Sequence, residues 1–393
     1  MALAWNKVTV DLVIHAKPSS SGSLMRLLES LKKADFFSST PPRLTIELPH
    51  KIDEPTKRYL EQFKWPPTSG HNDGNLLTLH HRIPQQTLTP EENSIRFLES
   101  FWPADPRTSH VLVLSPQAEL SPLFFHYLKY TMLESKFSSG ITEDHNNLLG
   151  ISLDLPPTYL NDTTAFTPPL TNGSEATPFL WQAPNSNAAL YFGSKWIELH
   201  DFVAHLLISQ HKLPTPTTLN EKLVSNTYPS WLEHILKLAR VRGYWMIYPN
   251  FDGHESLVTM HNDLYQPPEE YEKESEGKRE EGELTADPKE HLSLKHKEKE
   301  VITGSLLNLL PNKAALLKVD EMPILRWDGE VVEVVDIESG AIEYKKVFRR
   351  EIGGCSEDGK QNAEEVKLTE RVYGEVRDLF CLSAKQKGAR EEA

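Results

Sequence analysis

The sequence predicts an α/β protein with a mostly parallel central sheet and helices on both faces. Between residues 8 and 154, short apolar segments alternate with helical ones, as expected for consecutive βαβ units. Residues 110–114 form a short, almost wholly apolar segment, which is typical of a strand covered on both faces. Thr89 and Pro90 predict a helix start, with Thr89 as the N-cap and Pro90 in the first turn.

Spacing of the apolar residues assigns each element of the first 155 residues. The first helix has one apolar face, made by Leu24, Leu27, Leu28 and Leu31. The predicted elements, in order, are strand 8–15, helix 21–34, strand 43–48, helix 53–63, strand 76–83, the helix that begins at Thr89, strand 110–114, a helix capped by Ser121 and Pro122, and strand 148–155.

A loop rich in Pro, Thr and Asn follows, at residues 156–178, and it is too long for a simple connection. Loops of this length often cover ligands. Residues 179–192 then predict a turn leading into a strand. Further on, the pattern predicts helices at 195–208 and 229–242 and a strand at 244–248.

We predict four units along the chain: a main domain at 1–266, a disordered charged linker or insertion at 267–300, a segment at 301–350 that docks on the main domain, and a charged tail at 351–393. The linker holds twelve acidic and seven basic residues and no Val, Ile, Phe, Met or Trp. Such a stretch buries too little apolar surface to offset its chain entropy. Within the segment at 301–350, the sequence of residues 330–335 predicts a strand.

Composition excludes several classes of function. The 42 Lys and Arg residues against 56 Asp and Glu residues give a net charge of −14, which argues against nucleic-acid binding. No stretch has the roughly eighteen uninterrupted apolar residues of a membrane-spanning helix, and the first residues lack an apolar signal region. The default expectation is therefore a cytoplasmic protein. Cys355 and Cys381 are too few for a zinc cluster, but they allow one disulfide.

One block places an apolar strand, a short turn with an acid and an aromatic-rich helix in succession, at residues 110–129. This block, together with segments 23–31, 181–192, 229–233, 242–250 and 256–261, resembles a GT-A glycosyltransferase, specifically the family-2-like proteins of fungi and plants. The resemblance covers residues 8–266. It implies a Rossmann-like GT-A fold and transfer of a sugar, with inversion, from a nucleotide-sugar donor to a hydroxyl of a glycan, lipid or protein. It also implies that association with the ER or Golgi is an alternative to the cytoplasm.

In the family that the sequence resembles, the turn after the central strand carries an Asp-x-Asp motif that holds a divalent cation. Here Ser115 and Gln117 stand where the aspartates are expected, and Glu119 alone keeps a carboxylate. The resemblance implies Glu119 and His261 as ligands of Mn²⁺ or Mg²⁺, cations that prefer hard oxygen ligands. The alternatives are that Glu119 is an acid at a helix N-terminus, stabilised by the helix dipole, and that His261 is structural.

The resemblance also implies Glu233 as the general base that deprotonates the acceptor hydroxyl, whereas the alternative is a solvated glutamate on a helix face. Ligands of open α/β sheets bind at the carboxyl ends of the strands. The predicted donor-binding residues are His15, Ala16, Glu47, Ser115, Gln117, Trp181, Asn185 and Asn187. Formation of a turn explains the two asparagines equally well, and most of the tryptophans fit a core role.

A second class of function stays open from the sequence alone. The missing Asp-x-Asp pair and the charged linker also fit a glycosyltransferase-like binding or scaffold protein without catalytic activity.

Overall fold

The computed structural model describes residues 6–16, 21–37, 41–49, 52–67, 76–81, 96–137, 147–161, 163–169, 176–210, 222–251, 255–262, 300–306, 318–355 and 376–381. The predicted helix start at Thr89 lies outside these ranges, and so does the predicted linker up to residue 299. Within the described residues, no helix combines the length and the apolar character needed to cross a membrane.

Strands and helices follow one another along the chain in the predicted α/β manner. The strands are β1 Thr9–His15, β2 Leu44–Leu48, β3 Leu77–His81, β4 Ser109–Leu114, β5 Ala118–Leu120, β6 Leu148–Ser152, β7 Phe179–Trp181, β8 Ala188–Tyr191, β9 Trp245–Tyr248, β10 Glu255–Ser256, β11 Val258–Met260, β12 Glu300–Val301, β13 Ile324–Leu325 and β14 Val331–Val332. The helices are α1 Ser21–Lys32, α2 Glu54–Gln62, α3 Phe124–Phe137, α4 Gly193–Gln210, α5 Ser230–Arg242 and α6 Val334–Glu351, with a 3-10 turn at Val319–Glu321.

One ten-stranded sheet organises the molecule, in the order β14-β13-β7-β9-β6-β8-β4-β1-β2-β3. Five of its nine strand pairings are parallel, which confirms the predicted α/β class with a mostly parallel sheet. The strand β8 runs antiparallel to both of its neighbours, β4 and β6. Among the described residues, two small two-stranded sheets, β5 with β11 and β10 with β12, lie outside the large sheet.

Each face of the sheet carries its own apolar core. In β4, Leu112 and Leu114 belong to one core, whereas Val111 and Val113 belong to the other. Helices α1 and α3 cover the first face, and α4 and α5 cover the second. Because successive side chains of a strand point to opposite faces, a strand covered on both sides must be apolar throughout. The apolar segment 110–114 was a correct indicator of the middle of the fold.

The strand order reverses at β1. From β1 the chain passes through α1 to β2 and then to β3 on one side, whereas β4 pairs with the other side of β1. Residues of α1 lie in one core, and Phe97 and Leu98, which lie between β3 and β4, belong to the other. A crevice at the carboxyl ends of the strands is expected at such a reversal, and ligands of open α/β sheets bind there.

The segment after the predicted linker extends the sheet. The strand β13 pairs in parallel with β7, and β14 pairs with β13. The predicted strand at 330–335 is only partly correct, because β14 ends at Val332 and α6 begins at Val334. Glu333 and Asp336 explain the change: each side chain accepts a hydrogen bond from the other's backbone N–H, which forms a capping box. Residues 179–192 likewise hold two strands, β7 and β8, instead of one.

We predict that Gly150→Ala destabilises the fold. A Cβ on Gly150 would lie 2.0 Å from the carbonyl oxygen of Leu190 in the neighbouring strand, so the backbone must shift. The expected loss in the free energy of unfolding is about 1–3 kcal/mol, measured by urea denaturation. Gly22→Ala is the matched control, because no atom lies within 4 Å of the Cβ added there. Equal stability of the two variants would contradict the close approach of β6 and β8.

Candidate functional site

The ends of β1 and β2 bring His15, Ala16 and Glu47 together, as predicted. His15 and Glu47 are register partners, and the Ala16 N–H donates to the Glu47 carbonyl at 2.9 Å. The Glu47 side chain is 6% exposed and accepts a hydrogen bond from the Ser100 hydroxyl. The His15 ring stacks on Phe97, with 5.1 Å between the ring centroids. Ser100 and Phe97 come from the connection that precedes β4, so this corner joins both sides of the strand reversal.

The turn after β4 forms the other side of the reversal. The Ser115 N–H donates to the Asn187 carbonyl at 2.6 Å, and the Ser115 hydroxyl accepts from the Gln117 N–H at 3.4 Å. The Gln117 carbonyl accepts from the His261 N–H at 3.0 Å. Ser115 and Gln117 are both half-buried. These bonds hold the turn between the start of β8 and the end of β11.

Glu119 and His261, the two predicted cation ligands, lie in contact. The His261 Nε2 is 2.7 Å from the Glu119 Oε2, and the Thr259 Oγ1 is 3.2 Å from the same nitrogen. The side chains of His261 and Glu119 are 31% and 38% exposed. Because Glu119 lies in β5, opposite Thr259 of β11, the alternative of an acid at a helix N-terminus is wrong. The pair therefore presents one carboxylate and one imidazole to solvent beside the turn after β4.

One of the two predicted asparagines, Asn187, binds a carboxylate that the sequence analysis did not select. The Asn187 Nδ2 donates to the Asp154 Oδ2 at 2.8 Å, and Asp154 is 4% exposed. The Asn185 Nδ2 donates to the Ser152 hydroxyl at 2.9 Å, and the Asn185 Oδ1 accepts from the Asn187 N–H at 2.6 Å. The bond from the Asn187 N–H to the Asn185 Oδ1 is the one expected of an asparagine in a turn. The geometry is therefore compatible both with turn formation and with donor binding.

Asp154 is the main residue that sequence reasoning missed. The sequence predicts a strand as far as residue 155, which places Asp154 inside it, whereas β6 ends at Ser152. Because β6 ends at Ser152, Asp154 is an acidic residue just after a strand that is parallel to β9. Residues at this position are candidates for a ligand site in open α/β sheets.

Glu233 is buried among polar partners on α5. Its Oε2 accepts from the Leu223 and Val224 N–H groups at 3.0 and 2.9 Å, and its Oε1 lies 3.5 Å from the Lys237 Nζ. The side chain is 1% exposed, so the alternative of a solvated glutamate on a helix face is wrong. These contacts give Glu233 a role in holding the segment before α5, and its role as a general base stays a prediction.

His234, the next residue on α5, is fully buried as well. Neither ring nitrogen has a hydrogen-bond partner among the described residues. Burial, with a smaller contribution from the Lys237 charge, lowers the pKa of His234 to about 3. The imidazole is therefore neutral in the folded protein at physiological pH.

Trp181 lies in the core and not at the edge of the sheet. Its side chain is fully buried, and its ring stacks on Phe166 with 4.5 Å between the centroids. The indole N–H donates to the Arg326 carbonyl at 3.0 Å. A platform for a sugar ring needs an open aromatic face, so the geometry does not support the prediction of Trp181 as a donor-binding residue.

Comparison with known proteins gives limited matches. A family model described as the SPBC1E8.03c C-terminal domain matches residues 22–212, just under half of the 393 residues. No curated protein matches the chain. Among solved structures, the crystal structure of S. aureus TarS 1-349 is similar, with 11% sequence identity and a TM-score of 0.31 over 61% of this chain. The match spans 58% of that chain, and a TM-score this low carries no argument, so the fold class rests on the strand pairings above.

We predict that Asn187→Asp destabilises the protein in a pH-dependent way. The change replaces the amide that donates to Asp154 with a second carboxylate, and two adjacent carboxylates repel each other when both are ionised. At pH 7 we expect a loss of about 1–3 kcal/mol beyond that of Asn187→Ala, measured by urea unfolding. As the pH falls towards 4, one carboxyl takes up a proton, and the difference between the two variants should shrink. A constant difference would contradict the contact.

We predict that His234 makes the fold sensitive to acid. The unfolded chain takes up a proton at this residue below about pH 6.5, whereas the folded protein does so only near pH 3, so stability falls as the pH drops through this window. Between pH 6.5 and 4.5 the protein should lose about 2 kcal/mol more than His234→Leu, measured by urea unfolding at each pH. The exposed residue His80 offers the control His80→Gln, which should follow the unmodified protein. Parallel curves for all three proteins would contradict the prediction.

Proposed function

We propose that this protein is a GT-A-type glycosyltransferase that moves a sugar from a nucleotide-sugar donor to an acceptor hydroxyl. The observation that carries the proposal is the arrangement of polar residues around one reversal of strand order. His15 and Glu47 lie at the ends of β1 and β2, and Ser115 follows the neighbouring strand β4. The Gln117 carbonyl accepts from the His261 N–H, which links the turn after β4 to the Glu119–His261 pair. These residues come from separate parts of the sequence. General rules for open α/β sheets place a ligand at this edge. The resemblance of segments between residues 8 and 266 to family-2-like glycosyltransferases supplies the reaction.

The polar groups at the reversal suit a ligand that carries a base, a ribose and a diphosphate. The half-buried His15 imidazole lies beside the ends of β1 and β2, where it can contact the nucleoside. Ser115 and Gln117 offer a hydroxyl and an amide from the turn after β4. Each of these groups can donate a hydrogen bond to a polar group of the sugar or accept one from it. In the reaction, the acceptor oxygen attacks the anomeric carbon while the bond from that carbon to the diphosphate breaks. The nucleoside diphosphate leaves, and the proton of the acceptor hydroxyl passes to water.

Glu119 and His261 are the residues that would hold a divalent cation, either Mn²⁺ or Mg²⁺. A carboxylate oxygen and an imidazole nitrogen are suitable donors, and both side chains are partly exposed beside the turn. A cation held by these two side chains would take its remaining ligands from water and from the diphosphate. When bound, such a cation would stabilise the negative charge of the leaving diphosphate.

Glu233 and Trp181 are too enclosed to contact the donor or the acceptor in the proposed site. Glu233 is 1% exposed and already accepts two backbone hydrogen bonds, and Trp181 is fully buried. A general base must reach the acceptor hydroxyl within hydrogen-bond distance, which a carboxylate in this environment does not do without rearrangement of the 222–224 segment.

We expect a nucleotide sugar of one base type to raise the melting temperature, and Mn²⁺ to increase the shift. A ligand that binds only the native state stabilises it by about 2.7 kcal/mol at a hundred times its Kd, which corresponds to a shift of several degrees. The measurement is a thermal-shift panel of UDP-, GDP- and other nucleoside-diphosphate sugars, each with and without Mn²⁺, followed by detection of the released nucleoside diphosphate with acceptor mixtures.

Glu119→Gln and His261→Asn test the cation ligands. Each should remove the part of the shift that depends on Mn²⁺ and lower nucleotide release, while Glu338→Gln, an exposed glutamate of α6, should change neither. Stabilisation without any nucleotide release would favour the non-catalytic binding protein. No shift with any donor, in a sample with a sharp unfolding transition, would overturn the proposal.

A further inference from the structure

The end of the described chain is fastened to the main fold by a covalent bond. Cys355, just after α6, forms a disulfide with Cys381. Between residue 355 and the disulfide partner, the structure describes the segment 376–381. This segment lies against α4, α5 and α6, and it belongs to the part of the chain that the sequence predicts as a charged tail.

Apolar side chains of the segment complete a cluster of aromatic rings. Val376 and Leu379 are 0% exposed and Phe380 is 5% exposed. The Phe380 ring lies 5.8 Å from Phe202 of α4 and 5.6 Å from Phe348 of α6, measured between ring centroids. Without the segment, this face of both helices would be open to water.

Asp378 connects the same segment to two basic residues. Its carboxylate accepts both Arg242 Nη groups at 2.8 Å and the Lys345 Nζ at 2.6 Å. Burial alone would raise the pKa of Asp378, but the hydrogen bonds and charges of Arg242 and Lys345 outweigh it and lower the pKa to about 2. Asp378 is 41% exposed, and partly exposed ion pairs add little to stability.

The backbone of the segment fits only because residue 353 is glycine. The Cys381 N–H donates to the Gly353 carbonyl at 2.8 Å. A Cβ on Gly353 would lie 2.2 Å from the Leu379 carbonyl oxygen and 2.9 Å from the Arg349 carbonyl oxygen, so a larger residue would push the segment away. Docking therefore depends on a close backbone approach as well as on the apolar contacts.

The segment 376–381 makes few non-covalent contacts compared with the number of residues that must become ordered when it docks. Three apolar side chains and one carboxylate must offset the conformational entropy of six residues, and these two contributions have similar magnitudes. A cross-link that closes a loop adds a stabilisation of its own, because it restricts the undocked chain. Both residues of the bond lie at or near the surface, since Cys381 is exposed and Cys355 is half-buried.

We propose that the Cys355–Cys381 disulfide is a redox-controlled latch, which keeps the 376–381 segment docked when oxidised and releases it when a dithiol reductant opens the bond. One thiolate of the reductant attacks the sulfur of the exposed residue Cys381, and Cys355 leaves as a thiolate that takes up a proton. The second thiol of the reductant then displaces Cys381. The products are two cysteine thiols and the disulfide of the reductant, so two electrons and two protons are transferred. Release exposes Phe202 and Phe348 and leaves Arg242 without Asp378.

The test is hydrogen exchange of the full chain, followed by mass spectrometry of peptides that cover 376–381, with and without a dithiol. In the oxidised protein the Leu379 and Cys381 amides donate hydrogen bonds and should be protected. Reduction should lower their protection by about a hundredfold, the effect expected for loss of a cross-link of this kind. Cys355→Ser with Cys381→Ser should show the low protection under both conditions.

Two glycine variants separate docking from the state of the thiols. Gly353→Ala should lower the protection of the segment even in oxidised protein, because the added Cβ meets the Leu379 carbonyl. Gly340→Ala, in the neighbouring helix α6, is the matched control, since nothing lies within 4 Å of its added Cβ. The latch is overturned if protein treated with an oxidant still titrates two free thiols, or if the protection of 376–381 is the same before and after complete reduction.

Discussion

The antiparallel placement of β8 between β4 and β6 is the constraint on which the candidate site depends. Because β8 runs against both neighbours, its first residues meet the last residues of β4 and β6 at one edge. There the Ser115 N–H, Asn187 and Asp154 form a continuous chain of hydrogen bonds. A parallel strand in the same position would bring its last residue to this edge instead. The polar groups that line this side of the strand reversal therefore follow from the direction of one short strand.

The sequence was sufficient for the class of fold and for part of the site, for a simple physical reason. Strands covered on both faces are apolar throughout, so the sequence locates them. Ligands of open α/β sheets bind at the carboxyl ends of such strands, so the residues that follow them are candidates for the site. His15, Glu47 and Ser115 are candidate site residues selected in this way. The direction of β8 was not predictable, because alternation of apolar residues is the same in parallel and antiparallel strands. Asp154 was missed for a related reason: periodicity locates a strand better than it locates the end of that strand.

Burial changes the interpretation of α5 more than that of any other element. The sequence left open a solvated glutamate on a helix face, yet Glu233, His234 and Lys237 are all buried. A buried carboxylate is tolerated when donors surround it, and here two backbone N–H groups and one ammonium do so. The sequence of a helix cannot reveal this, because the two backbone donors come from the preceding loop. The resemblance implies a general base at Glu233, whereas the contacts show how the same glutamate anchors residues 223 and 224.

The charged stretch at 267–300 separates two segments in sequence that the fold brings together. Before it, β10 and β11 lead to His261, and after it, β12 pairs with β10 through Ser256 and Val301. The Ser121 hydroxyl donates to the Ile302 carbonyl, and the Ser121 N–H donates to the Leu257 carbonyl at 2.8 Å. The strands that carry Glu119 and His261 are thus supported by chain from both sides of the stretch. A boundary between domains at this point would remove that support, so these pairings favour an insertion over a linker between separate units.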